Sequence, residues 1–314
     1  MSDPKVLINI VLYNPDKNKV LELIRICSHY EQAKILLFEN APGMSSLEYI
    51  DSEKIILYKS EKNVGVAGAH YYACKMAEGE NFDFVLFLDQ DSLLSTAFIN
   101  NMVSGFYHLQ KLYPRLCATG PVWCDPRLYA WQQTEKLRNS LKNKLKFKLK
   151  IRLKKIIKWR REKLYNLLMQ DHLLISSGML IWVPTLKKIG YPNKEYFIDL
   201  VDIEWCLRAL AKNYQVEILK TVQMQHTIGE FKTLKNSFIQ YKNPMRYYYS
   251  IRNSFFLFRE KQFPLSFRLF ILISNIMEMK KIPFVPKSME SLRAAWRGII
   301  DGIFKKPISI ECRK

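Results

Sequence analysis

The chain has 314 residues, 48% of them apolar, enough to bury one large core or two modest ones and too apolar for a disordered chain. Lysine and arginine outnumber aspartate and glutamate by 49 to 29, so a polyanionic partner is expected: nucleic acid, an anionic membrane or a phosphorylated substrate. Six cysteines without paired CxxC spacing read as reduced thiols in a cytosolic protein, and no apolar run is long enough to span a bilayer.

The N-terminal stretch "KVLINIVLYN" reads as a strand, without the basic region and cleavable apolar segment of a leader. "KNKVLELIRICSHY" has helical spacing; "AKILLFEN", "KIILYKS" and "FDFVLFLD" read as three further strands. Strands apolar on both faces and separated by helices predict a mainly parallel sheet covered by helices, with ligands at the carboxyl ends of the strands. Polar residues collect at that rim: Tyr13 and Asn14, Glu39 and Asn40, Asp89 and Asp91. In "KNVGVAGAHYYACKMA", Gly65 and Gly68 would let backbone approach a ligand before a helix starting near Ala69. The spacing fits neither a Rossmann fingerprint nor a P-loop.

Asp89 and Asp91 flank Gln90 just past the fourth strand, so in extended geometry they point the same way. Two hard oxygen ligands suit Mg²⁺ or Mn²⁺, which takes few carboxylates and completes its shell from substrate. The plainer alternative is that Asp91 or Ser92 caps a helix in "STAFINNMVSGF". From Glu135 to Lys163 the chain turns into Lys and Arg interleaved with Leu, Ile, Phe and Trp, as either strand or helix. It is either a solvated face or a membrane-attachment element. "YFIDLVDIEWCLRALAKNY" starts extended and becomes a helix, carrying the acidic residues Asp199, Asp202 and Glu204. Asp202 and Glu204 share a face if extended; each acid alone could simply serve a helix entrance. His226 ends a later strand, where a lone histidine is either a satisfied residue or a metal ligand. From Tyr241 the chain is helical and aromatic.

The ordered set "VLYN", "FEN", "NVGVAGA", "FLDQDS", "SSGMLIW", "FIDLVDIEWCLR", "HTIGE" and "YYYSIRN" resembles bacterial rhamnosyltransferases of glycosyltransferase family 2. The resemblance implies a GT-A fold, an α/β architecture with a Rossmann-like sheet, and an inverting, metal-dependent transferase. Its donor would be a nucleotide sugar, dTDP-rhamnose or, in related galactofuranosyltransferases, a UDP-sugar. It implies a nucleotide-sugar-binding half at 1–125, a basic amphipathic insertion at 126–170, an acceptor-binding half at 171–240 and a helical extension at 241–314. By the same resemblance Tyr13 stacks on the base, Glu39 accepts from its ring N–H, and Asn63, Gly65 and Asp89 line the donor site. The metal falls to Asp89, Asp91 and His226, the base to Asp202, and the acceptor to Glu204 and Trp205; Val201 departs from the Glu common there. The acceptor would be a lipid-diphosphate-linked glycan of a surface polysaccharide, the location cytoplasmic and peripheral on the inner face of the bacterial cytoplasmic membrane. Nucleic acid is the other partner class that the charge allows. It is disfavoured because the cations cluster in one insert, without a zinc-finger or RRM signature, and the acidic sets would repel a phosphate backbone.

Overall fold

The computed structural model describes residues 3–41, 53–124, 173–225, 230–234 and 237–305; the basic insertion at 126–170 and His226 lie outside them. Four parallel strands come first: β1 (Val6–Leu12), β2 (Ala33–Glu39), β3 (Ile55–Lys59) and β4 (Phe84–Asp89). With β5 (Leu116–Cys124), β6 (Leu180–Trp182) and β7 (Gln215–Gln225) they form one sheet in the order β3-β2-β1-β4-β6-β5-β7. Only β6 runs against its neighbours. β8 (Glu230–Leu234) and β9 (Ser237–Tyr241) form a separate hairpin.

Every residue of β1 is buried, as its unbroken apolar run requires. Ile8, Ile10, Phe84, Leu86 and Leu88 face one side of the sheet, against α1 (Lys17–Cys27) and α3 (Phe98–Leu112). Leu7, Val85 and Phe87 face the other, against α2 (Gly65–Gly79) and α5 (Val201–Ala211), with the short α4 (Leu186–Ile189) beside them. Helices thus cover both faces, and each fully buried side chain of this size stabilises the fold by about 1.5–3 kcal/mol. Asp16 caps α1 by accepting from the N–H groups of Asn18 and Lys19. Cys27, Cys74, Cys117 and Cys206 are buried free thiols. No helix among the described residues is long and apolar enough to cross a membrane.

Two expectations need correction. The helix expected near Ala69 begins at Gly65, whose φ of +71° is open to glycine. The close approach that this glycine permits is to protein: a Cβ there would fall on the carbonyl and ring of Phe197, and Ala67 N–H donates to the same carbonyl at 3.0 Å. Nor does the "FIDLVD" stretch run extended into its helix. It passes through a one-turn 3₁₀ helix (Lys194–Tyr196) and three residues of positive φ, Phe197, Asp199 and Leu200, before α5 starts at Val201.

The last described elements are α6 (Pro244–Arg259), α7 (Leu265–Glu278) and α8 (Ser288–Phe304). Ser291, Ala295, Gly298 and Gly302 form the buried face of α8. A Cβ on Gly298 would sit 2.6 Å from the Tyr248 carbonyl oxygen, so the small residues let α8 lie close along α6.

Gly65→Ala should lower stability by about 2 kcal/mol or more, through strain at positive φ and overlap with Phe197. Urea unfolding would show a lower midpoint; an unchanged midpoint would mean that the loop gives way freely.

Candidate active site

The carboxyl ends of the parallel strands lie in register. Leu12 pairs with Glu39, Glu39 with Lys59, and Val11 with Asp89, so the polar residues that follow these strands share one rim. Tyr13 is 52% exposed there, and its backbone is held by the Gln90 amide, which accepts from Tyr13 N–H at 2.8 Å and donates to its carbonyl at 3.0 Å. Gln90, read earlier only as a spacer, thereby ties the end of β1 to the loop carrying Asp89 and Asp91. Glu39 is buried at the end of β2, and its carbonyl takes the N–H of Ser60. The next residue, Asn40, accepts from Val64 N–H, while Asn63 accepts from Gly65 N–H, both at 2.9 Å. These two side chains occupy donors at the start of α2 that helix geometry leaves unsatisfied.

Asp89 and Asp91 line a cleft of about 420 Å³ together with Asp199, Asp202, Lys242 and Arg246. Ser177 braces the first of these: its hydroxyl accepts from Asp89 N–H at 3.3 Å and lies 2.8 Å from the Ser92 hydroxyl. Helix α3 starts only at Phe98 and has no side-chain cap, so capping is not what places Asp91 or Ser92. Two carboxylates are a donor set suited to Mg²⁺ or Mn²⁺. Among the described residues no three His, Cys, Asp or Glu side chains gather as a ready-made cage.

Asp202 stands in the first turn of α5, one carboxylate oxygen accepting from Ser176 N–H and the other from Ile203 N–H, each at 2.9 Å. Burial pushes its pKa above the ordinary value, against those two backbone donors, with Asp199 adding to the rise. Glu204 and Trp205 do not join it. Residues two apart on a helix point nearly opposite ways, and Glu204 faces inward to a buried bidentate pair with Arg208, at 2.7 and 2.9 Å. Arg208 also donates to the carbonyls of Ile189 and Tyr191, and the Trp205 indole donates to Gly190. The acceptor role expected of Glu204 and Trp205 therefore gives way to a structural one: they fasten α5 to the turn after α4.

The loop before α5 is held from α6. The Asn253 side-chain amide, fully buried, donates to the carbonyls of Tyr196, Ile198 and Asp199, each at 2.8 Å. Arg252 donates to the carbonyls of Glu195 at 2.5 Å and Tyr196 at 3.3 Å. Arg246 pairs with Asp199 at 2.5 Å, and that carboxylate raises its pKa more than burial lowers it. Sequence reasoning missed Asp199 as a paired residue, together with Lys242, Arg246 and Asn253. The segments "NPMR" and "YYYSIRN" held the only signal, a cluster of polar residues in an aromatic helix.

The sequence model of the family described as "Glycosyl transferase family 2" matches residues 8–169. The chain is 26% identical over 309 residues to the dTDP-rhamnosyl transferase RfbF of Shigella flexneri, covering 93% of this chain and 96% of that one. Among solved structures it is similar to S. aureus TarS, with a TM-score of 0.55 at 12% identity, over 95% of this chain and 48% of that one. TarS 1–349 in complex with UDP-GlcNAc superposes with a TM-score of 0.54 at 13% identity, covering 95% and 80%.

Asn253→Ala should cost about 2–4 kcal/mol by leaving buried carbonyls unpaired, and should reduce turnover even well below the unfolding temperature, because Asp202 loses its support. Denaturant unfolding and assays at low temperature separate the two effects. Full turnover in a destabilised variant would show that the loop keeps its shape without the amide.

Proposed function

The chain belongs to glycosyl transferase family 2 and has the GT-A fold, and from that premise we propose that it is an inverting, metal-dependent transferase. In this reading it moves rhamnose from dTDP-rhamnose to a lipid-diphosphate-linked glycan in the assembly of a surface polysaccharide such as O-antigen or capsule. The observation that carries the reading is the single cleft lined by Asp89, Asp91 and Asp202. The dTDP-rhamnosyl transferase of Shigella, alike over almost its whole length, supports the donor.

Tyr13 is exposed for stacking on the base and Glu39, ending the neighbouring strand, would accept from its ring N–H, with Asn63 and the backbone at Gly65 lining the donor site beyond them. Asp89 and Asp91 would hold Mg²⁺ or Mn²⁺, with His226 as a further ligand outside the described residues; Gln225, just before it, bridges to Leu93, two residues beyond Asp91. Bound there, the ion would act as a Lewis acid on the departing nucleotide diphosphate. Asp202 takes the proton of the acceptor hydroxyl while that oxygen bonds to the anomeric carbon. The bond from that carbon to the phosphate oxygen breaks, and its electron pair leaves with the diphosphate. One displacement inverts the configuration. A carboxylate with a raised pKa is a better base than an ordinary Asp, and burial supplies that rise.

The proposed location is peripheral, on the cytoplasmic face of an anionic membrane; α8 supports attachment to a membrane. With its small residues turned inward, Met289, Leu292, Trp296, Ile300, Ile303 and Phe304 are exposed along its outward face. Arg293 and Arg297 border this stripe at helical spacing, the layout of a helix lying in the headgroup boundary. The Glu135–Lys163 segment, outside the described residues, is proposed to add cations to the same attachment.

Purified protein offered dTDP- and UDP-sugars with Mg²⁺ or Mn²⁺ should release dTDP from dTDP-rhamnose in the presence of acceptor, and EDTA should stop it. Asp202→Asn should slow transfer by roughly 10²–10⁴ while donor binding survives. Because the base works ionised, kcat/KM should rise with pH through a value above that of an ordinary Asp. An acid limb at or below the ordinary Asp value, or full turnover by Asp202→Asn, would remove Asp202 as the base.

Wild-type protein should float with vesicles of phosphatidylcholine and phosphatidylglycerol, and less with phosphatidylcholine alone. The double variant Trp296→Ser, Ile300→Ser should lose this binding. No flotation by wild type, or none lost by the variant, would leave α8 without a membrane role.

A further inference from the structure

The cleft has two unlike walls. Asp89 and Asp91 stand on the side of β4, whereas Lys242, from the segment entering α6, and Arg246, of α6 itself, bring two cations to the facing wall; Ser250 and Asn275 line it too, their own donors turned to the Tyr247 and Ile271 carbonyls. Arg246 is committed to Asp199 through both of its hydrogen bonds, at 2.5 and 3.3 Å. Lys242 has no such carboxylate among the described residues. Its ammonium donates to the Asn275 side-chain oxygen at 3.5 Å, the outer limit of a hydrogen bond. Burial lowers its pKa, opposed first by Asp199 and then by Glu278, while Arg246 and Lys281 lower it further. A cation withdrawn from water stays stable when an anion meets it, and the two carboxylates that act on Lys242, Asp199 and Glu278, are already paired with Arg246 and Lys281.

We propose that Lys242, with the Arg246 guanidinium on the same wall, forms an anion subsite that binds a phosphate of the acceptor. The assignment rests on the transferase reading above. Position favours acceptor over donor. Lys242 lines the same cleft as Asp202, whereas Tyr13, Glu39 and Asn63 of the donor rim do not line it. Phosphate oxygens suit an ammonium that is held only by a long hydrogen bond to a neutral oxygen and can exchange it for a charge-assisted one. A phosphate bound in the same cleft as Asp202 also means that the accepting sugar is attached directly to phosphate, so that the substrate class is a glycosyl diphosphate lipid with a short glycan.

The test is calorimetric binding of a short-chain alkyl diphosphate to the full chain, with the donor site saturated by dTDP or UDP and Mg²⁺. Wild type should bind it, Lys242→Met and Lys242→Gln should each weaken it roughly tenfold or more, and nucleotide affinity should stay unchanged. Thermal unfolding of both variants checks that they fold, and the milder Gln variant decides if Met does not. Equal binding by a folded variant, or no binding by wild type, overturns the subsite. A loss of nucleotide affinity instead would assign Lys242 to the donor's diphosphate and overturn it too. Because the readout is binding, it stands even if no donor is turned over, an outcome that would overturn the transferase reading alone.

Discussion

One side-chain amide holds the cleft in shape. Between Tyr196 and Leu200 the backbone adopts positive φ at Phe197, Asp199 and Leu200, none of them glycine. At Phe197 the angles of 60° and −65°, with Ile198 N–H donating back to the Tyr196 carbonyl, make a strained γ-turn. Each such residue costs on the order of 1–3 kcal/mol, and persists only where its surroundings over-determine it. Asn253 meets three of the loop's carbonyls, Arg252 meets two of the segment's, and Phe197 stacks on Tyr249 with ring centroids 4.5 Å apart. From this loop hang the start of α2, through Ala67 and Phe197, the start of α5, and so the place of Asp202.

Charge is arranged around that scaffold in two ways. Glu204 and Arg208 are buried together in a bidentate pair, and the guanidinium also donates to two carbonyls, so this pair fastens one element to another. In the cleft the balance is incomplete: Asp199 answers Arg246, while Asp202 stays above the ordinary carboxylate range even with two backbone donors. Unbalanced charge in a cleft is where chemistry is found, since a ligand or a proton must complete it.

The sheet was legible because β1, β2 and β4 are apolar on both faces, a pattern that few other structures explain, and because the residues ending them are abruptly polar. The second acidic set was harder to read. "DLVDIEW" has period-two acids that would share a face in a strand, yet α5 begins at Val201 and turns Glu204 into the core. No glycine announces the left-handed residues before it, so the start of the helix carried no local mark. Asn253 and Lys242 were invisible for another reason: each matters through contacts with residues 33 to 57 positions away, and local spacing in α6 or in the segment before it does not report them. The C-terminal helix misleads through its composition, since the small residues of α8, not its large apolar ones, face the protein.

That division between local and distant signals follows the cleft itself. The segment that matches the family, 8–169, holds Tyr13, Glu39, Asn63, Asp89 and Asp91, the rim proposed for the nucleotide sugar. Asp199, Asp202, Lys242, Arg246 and Asn253 all come later in the chain. A parallel sheet fixes the first group by strand register, which tolerates little change, because a one-residue slip would turn every core side chain outward. The second group sits on a loop and helices joined to the sheet by side-chain hydrogen bonds, so the shape and charge of that wall can change without disturbing strand pairing. If the proposed division of the cleft holds, selection of an acceptor can diverge on the α6 and α7 wall while the strand rim keeps one donor geometry.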